Sequence, residues 1–256
     1  MAEIRHLKGW KRDVKDHRDF KYRTLFTLPR AQLPESVDLR SLCSPVEQQG
    51  GVGSCTANAV VGAMEYLKRD TLNRKVLCMK VGRDLSRLFV YWNTRALEGT
   101  TEVDCGASIR NSIKSLASYG ACYEKTWPYN EGSWAKKPTE DCYKEGEKYK
   151  VVSYYRVENM DEALNALALK LPVAFGAVLY ESFHEAEKTA VVDIPTEGET
   201  VIGGHAMLIV GYNQKKEEFI VRNSWGPGWG DGGYCYMPWA YCLFGERVDD
   251  FWVVKG

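Results

Sequence analysis

The spacing of apolar residues changes once along this chain, and that change limits the folds that the chain can adopt. Before the stretch 127–147 apolar residues recur at helical spacing, and after it they alternate as they do in strands. The stretch itself contains Pro128, Gly132, Pro138 and Gly146, which interrupt regular structure. The sequence therefore predicts an α+β fold, in which a helical lobe precedes a β-rich lobe.

The two halves predict particular elements. Helices are expected from residue 54 onwards, over 85–96, over 108–120 and over 160–170, the last opened by Asn159 with Glu162 three residues on. Strands are expected over 150–157, 173–180, 205–212, 219–222 and 233–237.

Charge and composition exclude several classes of protein. The 34 Lys and Arg residues balance 34 Asp and Glu residues, whereas proteins that bind nucleic acids or anionic membranes by bulk electrostatics carry excess positive charge. We therefore expect neither nucleic acid nor a membrane as a partner. No apolar run approaches the roughly 20 residues of a membrane span, and 45% hydrophobic residues are typical of a folded globular chain.

The eight cysteines do not follow a metal-binding or disulfide-rich pattern. No C-x-x-C pair occurs, and the isolated pair His184-Glu185 is typical of a solvated surface, so no metal or other cofactor is expected. The basic N-terminal stretch lacks the apolar segment of a signal peptide, which favours a reducing compartment with free thiols, or release by a signal-independent route. Whether Cys122 pairs with Cys142, or Cys235 with Cys242, stays open.

Three residues have the types and positions that thiol catalysis needs. Cys55 follows a glycine-rich stretch and opens the strongest helical pattern, where free N–H groups and the helix dipole favour a thiolate. His205 begins an apolar strand, and Asn223 follows it 18 residues later. A buried thiol, a strand-edge histidine and a turn asparagine are each common, but together they predict a nucleophile, an imidazole and a residue that orients it.

At these positions the chain closely resembles the papain family of cysteine peptidases, over about residues 33–254. The resemblance lies in an alternating stretch at 33–40, in the nucleophile motif at 49–55, in Gly204-His205-Ala206, and in Asn223-Ser224-Trp225-Gly226 with Gly228-Trp229-Gly230. It implies a papain-like two-lobed fold with a helical left lobe at about 44–145. A β-barrel-like right lobe would comprise 146–256 with 33–43, and the active site would lie in the cleft.

The resemblance also assigns roles to residues. It makes Cys55 the nucleophile, His205 its ion-pair partner and general acid, and Asn223 the residue whose side-chain oxygen orients the imidazole. Trp225 would shield that bond from solvent. Gln49 and the backbone N–H of Cys55 would form the oxyanion hole.

Substrate-binding residues follow from the same resemblance. The expected substrate-binding set is Gly106, Ala107, Gly176, Gly203, Gly204, Ala206, Trp225 and Trp229. Asp249 is expected at the floor of the second subsite, where its charge would favour a basic or polar P2 side chain, and a solvated Asp249-Asp250 pair is the alternative. Val52 replaces the cysteine that usually staples the nucleophile loop, Thr56 replaces an aromatic residue, and Gly204 replaces Asp or Asn.

The predicted function is that of an endopeptidase acting on peptides or proteins through a thioester acyl-enzyme. Residues 1–32 form a short extension, as in the bacterial branch typified by xylellain, and we expect this segment to lie across part of the cleft as a pro-segment. A thiol amidase, deamidase or acyl transferase would use the same residues, and a catalytically silent binding module is the alternative from another class.

Overall fold

The computed structural model describes residues 7–24, 28–75, 84–243, 245 and 247–255. Cys78 and parts of the predicted extension lie outside these residues. The described α-helices are α1 (Cys55–Lys75), α2 (Arg87–Glu98), α3 (Ile109–Tyr119), α4 (Glu140–Gly146), α5 (Met160–Ala168) and α6 (Ala186–Thr189). In this part of the chain no helix is both long enough and apolar enough to span a membrane.

The strands form one sheet. They are β1 (Leu7–Lys8), β2 (Ser36–Asp38), β3 (Ser153–Val157), β4 (Val173–Tyr180), β5 (Val201–Asn213), β6 (Glu218–Arg222), β7 (Tyr234–Pro238) and β8 (Val248–Lys255). The main order is β3-β8-β4-β5-β6-β7, antiparallel at every step, and β1 and β2 also pair with β5. No described pairing joins β3 to β7, so the sheet of the predicted barrel-like lobe is open and does not form a closed barrel.

Side-chain caps explain where three predicted helices begin. The side chains of Ser86, Ser108 and Asn159 accept hydrogen bonds from N–H groups in the first turns of α2, α3 and α5. Each cap satisfies an N–H that has no partner within its helix. The short helix α4 falls in the stretch that the sequence predicted as a loop, and β8 was not predicted at all.

The two halves of the molecule meet where α1 packs against β5. Glu65 of α1 is buried, and its carboxylate accepts hydrogen bonds from the Ser44 hydroxyl and from the Leu85 N–H. These contacts hold the helix among the loops around it, because a buried carboxylate needs hydrogen-bond donors. The N-terminus of α1 is thereby fixed beside β5, in the cleft between the helical half and the sheet.

The N-terminal segment is packed on the rest of the chain. Its first described strand, β1, pairs in parallel with Gly203 and Gly204 of β5. Further on, Tyr22 is fully buried. The side-chain amide of Asn165 both accepts from the Leu28 N–H and donates to the Leu28 carbonyl oxygen. The segment is therefore anchored at both ends of its described length.

Candidate active site

Cys55 is the first residue of α1 and lies at the cleft. Its sulfur is fully buried and accepts a hydrogen bond from the Ala206 N–H at 3.3 Å. Burial raises the pKa of the thiol to about 12, although N–H groups of Ala206, Thr56 and Cys55 itself act in the opposite direction. The helix N-terminus therefore offers donors to a thiolate, but the surroundings in this structure favour the neutral thiol.

His205 and Asn223 are in direct contact. Imidazole Nε2 lies 2.8 Å from Asn223 Oδ1, and that oxygen also accepts the Ser224 N–H at 2.8 Å. Because Oδ1 can only accept, the imidazole carries a proton on Nε2. In the neutral ring Nδ1 is then the nitrogen without a proton. Burial lowers the pKa of His205 to about 4, so the imidazole is neutral here.

Aromatic rings cover this pair. The ring of Trp225 lies 5.0 Å from the His205 ring, centre to centre, and Trp225 also makes edge contacts with Trp229 and Phe183. Phe183 and Trp229 stack on each other at 5.5 Å. Trp225 therefore lies where it can exclude water from the imidazole–amide hydrogen bond.

Gln49 is buried beside the loop that contains Asn223 and Ser224. Its side-chain oxygen accepts the Ser224 hydroxyl at 2.5 Å, and its Nε2 donates to the Val52 carbonyl at 2.9 Å. Its backbone N–H donates to the Ser224 carbonyl. These bonds hold the amide group near the start of α1, with its N–H groups directed at the nucleophile loop.

The N-terminal segment occupies the cleft directly over Cys55. Gly9 lies so close to Sγ that even a single added Cβ would overlap the sulfur. Its carbonyl accepts the Ala107 N–H at 3.0 Å, and the Lys11 N–H donates to the Ala107 carbonyl at 3.0 Å. The segment therefore blocks the thiol while bonding to one cleft wall as a peptide would.

Trp10 fills a pocket beside the thiol. The Trp10 ring lies against the Cα of Gly176, and the Trp10 backbone N–H donates to the Gly204 carbonyl at 3.3 Å. The indole Nε1 donates to Asp250 Oδ2 at 3.0 Å, and the Asp250 side chain is fully buried. The carboxylate that meets the pocket's occupant is thus Asp250.

The remaining predicted substrate-binding residues divide between the two cleft walls. Gly106 and Ala107 form one wall, and Gly176, Gly203, Gly204 and Ala206 belong to β4 and β5 on the other. Asp249, predicted at the pocket floor, instead accepts from Arg156 at 2.8 Å. The neighbouring Asp250 also accepts from Arg156, at 3.0 Å, and its carboxylate is the one that contacts Trp10.

Three residues of the site were not assigned by the sequence. The sequence predicts that residues 1–32 lie across part of the cleft, but nothing local singles out Gly9 and Trp10 as the residues that lie over Cys55. Ser224 lies within the recognised asparagine motif, yet its bond to Gln49 joins residues 175 positions apart. Contacts of that range have no signal in a single sequence.

The family model described as papain family cysteine protease matches residues 33–242. The chain belongs to the papain family of cysteine proteases. The crystal structure of xylellain, a cysteine protease from Xylella fastidiosa, is 36% identical, with a TM-score of 0.86 over 98% of this chain and 96% of that one. This membership confirms the predicted papain-like α+β fold and the cysteine-peptidase activity.

Two relatives in the papain family are also similar to most of this chain. An uncharacterized peptidase C1-like protein of Acanthamoeba polyphaga mimivirus is 36% identical over 92% of this chain and 74% of its own length. Chymopapain of Carica papaya is 28% identical over 86% of this chain, which spans 57% of the length of that relative.

The cysteines within the described residues are all thiols. There are seven of them, Cys55 included, and none is in a disulfide, so Cys122, Cys142, Cys235 and Cys242 are free. Among the same residues, no group of three or more His, Cys, Asp or Glu side chains could hold a metal ion.

Proposed function

We propose that this chain is an endopeptidase that cleaves peptide bonds with Cys55, His205, Asn223 and Gln49. The hydrogen bond between His205 Nε2 and Asn223 Oδ1 carries the proposal. It fixes the imidazole ring so that Nδ1 points away from the Asn223 side chain. When a substrate replaces the N-terminal segment, water reaches the cleft. The burial that keeps both groups neutral is then reduced, and a thiolate–imidazolium pair can form.

The reaction proceeds by acyl transfer to sulfur. The Cys55 thiolate attacks the peptide carbonyl carbon, and the oxyanion is held by Gln49 Nε2 and the Cys55 N–H. The C–N bond breaks as the His205 imidazolium gives its Nδ1 proton to the leaving amine. Water then attacks the thioester as the imidazole takes its proton, and the thiolate is released with the acid product.

The pocket that holds Trp10 receives the P2 side chain of the substrate. Gly176 and Gly204, which carry no side chains, leave room for a large side chain, and the buried Asp250 carboxylate accepts an N–H from the end of it. We therefore expect arginine, lysine or tryptophan to be preferred at P2.

The N-terminal segment acts as the inhibitory pro-segment of the same chain. Gly9 and Trp10 occupy the positions that substrate needs, so the segment must move before hydrolysis begins. A Gly9→Ala variant should disfavour the closed position, since the added methyl group overlaps the Cys55 sulfur.

Peptide cleavage profiling of the full chain beside Cys55→Ala tests the proposed function. We expect cleavage of internal peptide bonds by the chain with intact Cys55, and stoichiometric labelling of that residue by an epoxide inhibitor. Cys55→Ala should do neither. Labelling without cleavage of any peptide would favour the amidase or transferase reading, and neither labelling nor cleavage would favour the binding module.

A further inference from the structure

Asp104 and Tyr91 connect three segments that surround the cleft. The Gly53 N–H donates to both carboxylate oxygens of Asp104, at 3.1 Å each. The Tyr91 hydroxyl donates to Asp104 Oδ1 at 2.5 Å and accepts the Gly106 N–H at 3.2 Å. This bridge joins the loop before Cys55, the middle of α2 and the cleft wall at Gly106.

The bridge is closely packed. A Cβ added at Gly53 would lie 3.1 Å from both Asp104 Oδ1 and the Gly106 nitrogen, so no side chain fits between the segments without displacing them. Behind the bridge, the fully buried Arg95 places its guanidinium 4.2 Å from the centre of the Tyr91 ring. It also donates to the Thr101 carbonyl at 2.8 Å, which ties down the chain just before Asp104. The positive charge of Arg95 offsets the charge of the Asp104 carboxylate.

The two ends of the bridge carry the parts of the site that must be in register. Gly53 lies two residues before Cys55. Gly106 precedes Ala107, whose N–H and carbonyl bond the backbone of the N-terminal segment at 3.0 Å each. The bridge therefore sets the distance between the nucleophile and an edge that binds peptide backbone.

On the basis of the proposed endopeptidase function, we infer that Asp104 and Tyr91 are positioning residues that hold the backbone-binding edge at Gly106 and Ala107 in register with the Cys55 sulfur. Hydrogen bonds to Asp104 and Tyr91 tie the loop before Cys55 to this edge. Small displacements of a bound substrate can cost about a hundredfold in rate, so such a bridge matters for kcat.

Asp104 also acts on the charge of the nucleophile. After burial, which is the largest cause, the Asp104 carboxylate contributes to the raised pKa of the Cys55 thiol. The titratable or charged groups whose ionisation this carboxylate influences are Cys55, Tyr91, Arg95 and Tyr129. The two effects of Asp104, position and charge, can be separated by substitution.

Tyr91→Phe tests the positioning role in the full chain carrying Gly9→Ala. It removes the hydroxyl and keeps the ring and the carboxylate. We expect kcat/KM for a peptide to fall about tenfold, mainly through kcat, because two buried hydrogen bonds lose a partner. Alkylation of Cys55 by iodoacetamide, which does not use the edge, should keep its rate. Tyr143→Phe, which removes a 2.9 Å bond to Asn93 in the same half of the molecule, is the control and should change neither rate.

Asp104→Asn and Asp104→Ala separate charge from position. Asparagine keeps an acceptor oxygen, so kcat/KM should stay within about threefold of the parent. A change of that size corresponds to less free energy than the loss of one buried hydrogen bond. The pH midpoint of Cys55 alkylation should move to lower pH, because the nearby negative charge is gone. Alanine should show both the shifted midpoint and the lower kcat/KM.

The outcomes distinguish this inference from the proposed function. A parent chain that neither hydrolyses peptides nor reacts at Cys55 contradicts the proposed function, and the inference with it. If the parent is active, equal kcat/KM for Tyr91→Phe and Tyr143→Phe overturns the inference alone. A parallel loss of hydrolysis and alkylation in Tyr91→Phe also overturns it, since that result indicates a general structural role.

Discussion

Two neighbouring residues can have opposite roles in the same site, as Asp249 and Asp250 illustrate. Both carboxylates accept hydrogen bonds from Arg156, at 2.8 Å for Asp249 and 3.0 Å for Asp250, but it is the fully buried Asp250 that also accepts from the Trp10 indole. The backbone of Asp250 has a φ of +56°, in the left-handed region that, among residues other than glycine, asparagine and aspartate adopt most readily. Its conformation thus decides which of the two carboxylates serves the pocket.

Asp250→Asn should therefore change the P2 preference of the enzyme. We expect the ratio of kcat/KM for arginine over leucine at P2 to fall about tenfold, because the charge-assisted hydrogen bond is lost while the backbone conformation is retained. Dipeptidyl fluorogenic substrates measure this ratio in the Gly9→Ala background. The matched control is Asp249→Asn, which should leave the ratio unchanged. An equal effect of both substitutions would contradict the assignment.

Gln49 is expected to act on rate rather than on binding. Gln49→Ala removes an oxyanion donor, and such losses lower kcat about a hundredfold or more in other enzymes. KM should change little, and the alkylation rate of Cys55 should stay near that of the parent. Gln49→Glu keeps the size of the side chain but not the donor, so it should lose kcat as well. A normal kcat in either variant would show that Gln49 does not stabilise the oxyanion.

At the scale of elements, the short strand β1 and the residues after it convert a cleft into a closed site. The segment pairs with β5 on one side and with Ala107 on the other. Gly9 is required at the crossing point, since its Cα lies against the sulfur. The fit between segment and nucleophile therefore depends on the absence of one methyl group.

Gly9→Ala should activate the full chain. The added methyl group overlaps Sγ, so the segment loses part of its binding energy and peptide hydrolysis should rise several-fold, about the effect of 1 kcal/mol or more. Initial rates on a fluorogenic peptide measure the change. Val14→Ala, at a position of the segment that is 83% exposed, should leave the rate as it is. Unchanged rates in Gly9→Ala would mean that the segment does not limit access.

At the scale of the whole molecule, two buried groups, His205 and Asp13, make the closed position of the N-terminal segment respond to pH in opposite directions. The pKa of His205 falls from 6.5 to about 4 by burial, so closure is favoured above pH 6.5 and weakened as pH falls towards 4. Burial and the neighbouring Asp250 charge raise the pKa of Asp13 from 3.8 to about 6. The protonated Asp13 carboxyl therefore stabilises the closed position in acid. This stabilisation is fully present below pH 3.8 and is lost as pH rises through about 6.

Asp13→Asn should make opening more sensitive to acid. The variant keeps a polar side chain beside Trp252 and Arg156 but removes the group that favours closure in acid. Hydrogen exchange of the amides of residues 9–13, corrected for its intrinsic pH dependence, measures opening between pH 7 and 4.5. Asp16→Asn, which removes a carboxylate of the same segment that pairs with Arg18, is the control. The same pH response in Asp13→Asn and in the unsubstituted chain would contradict the opposing roles.

Much of the fold was predictable because its signals are local. The caps at Ser86, Ser108 and Asn159 and the strand that begins before His205 could be read from neighbouring residues. The helix α4 was missed because it is short and lies among prolines and glycines. The open edge of the sheet depends on strand pairing, which a single sequence does not encode locally.

The sequence by itself determined which residues can do the chemistry, since thiol, imidazole and amide groups follow recognisable motifs at Cys55, His205 and Asn223. Only the tertiary structure decided that Asp250 rather than Asp249 meets the pocket, that Gly9 and Trp10 fill the cleft, and that Asp104 and Tyr91 bridge its walls. Side-chain chemistry belongs to the residue, whereas these contacts join positions far apart in the chain and exist only after the whole molecule has packed.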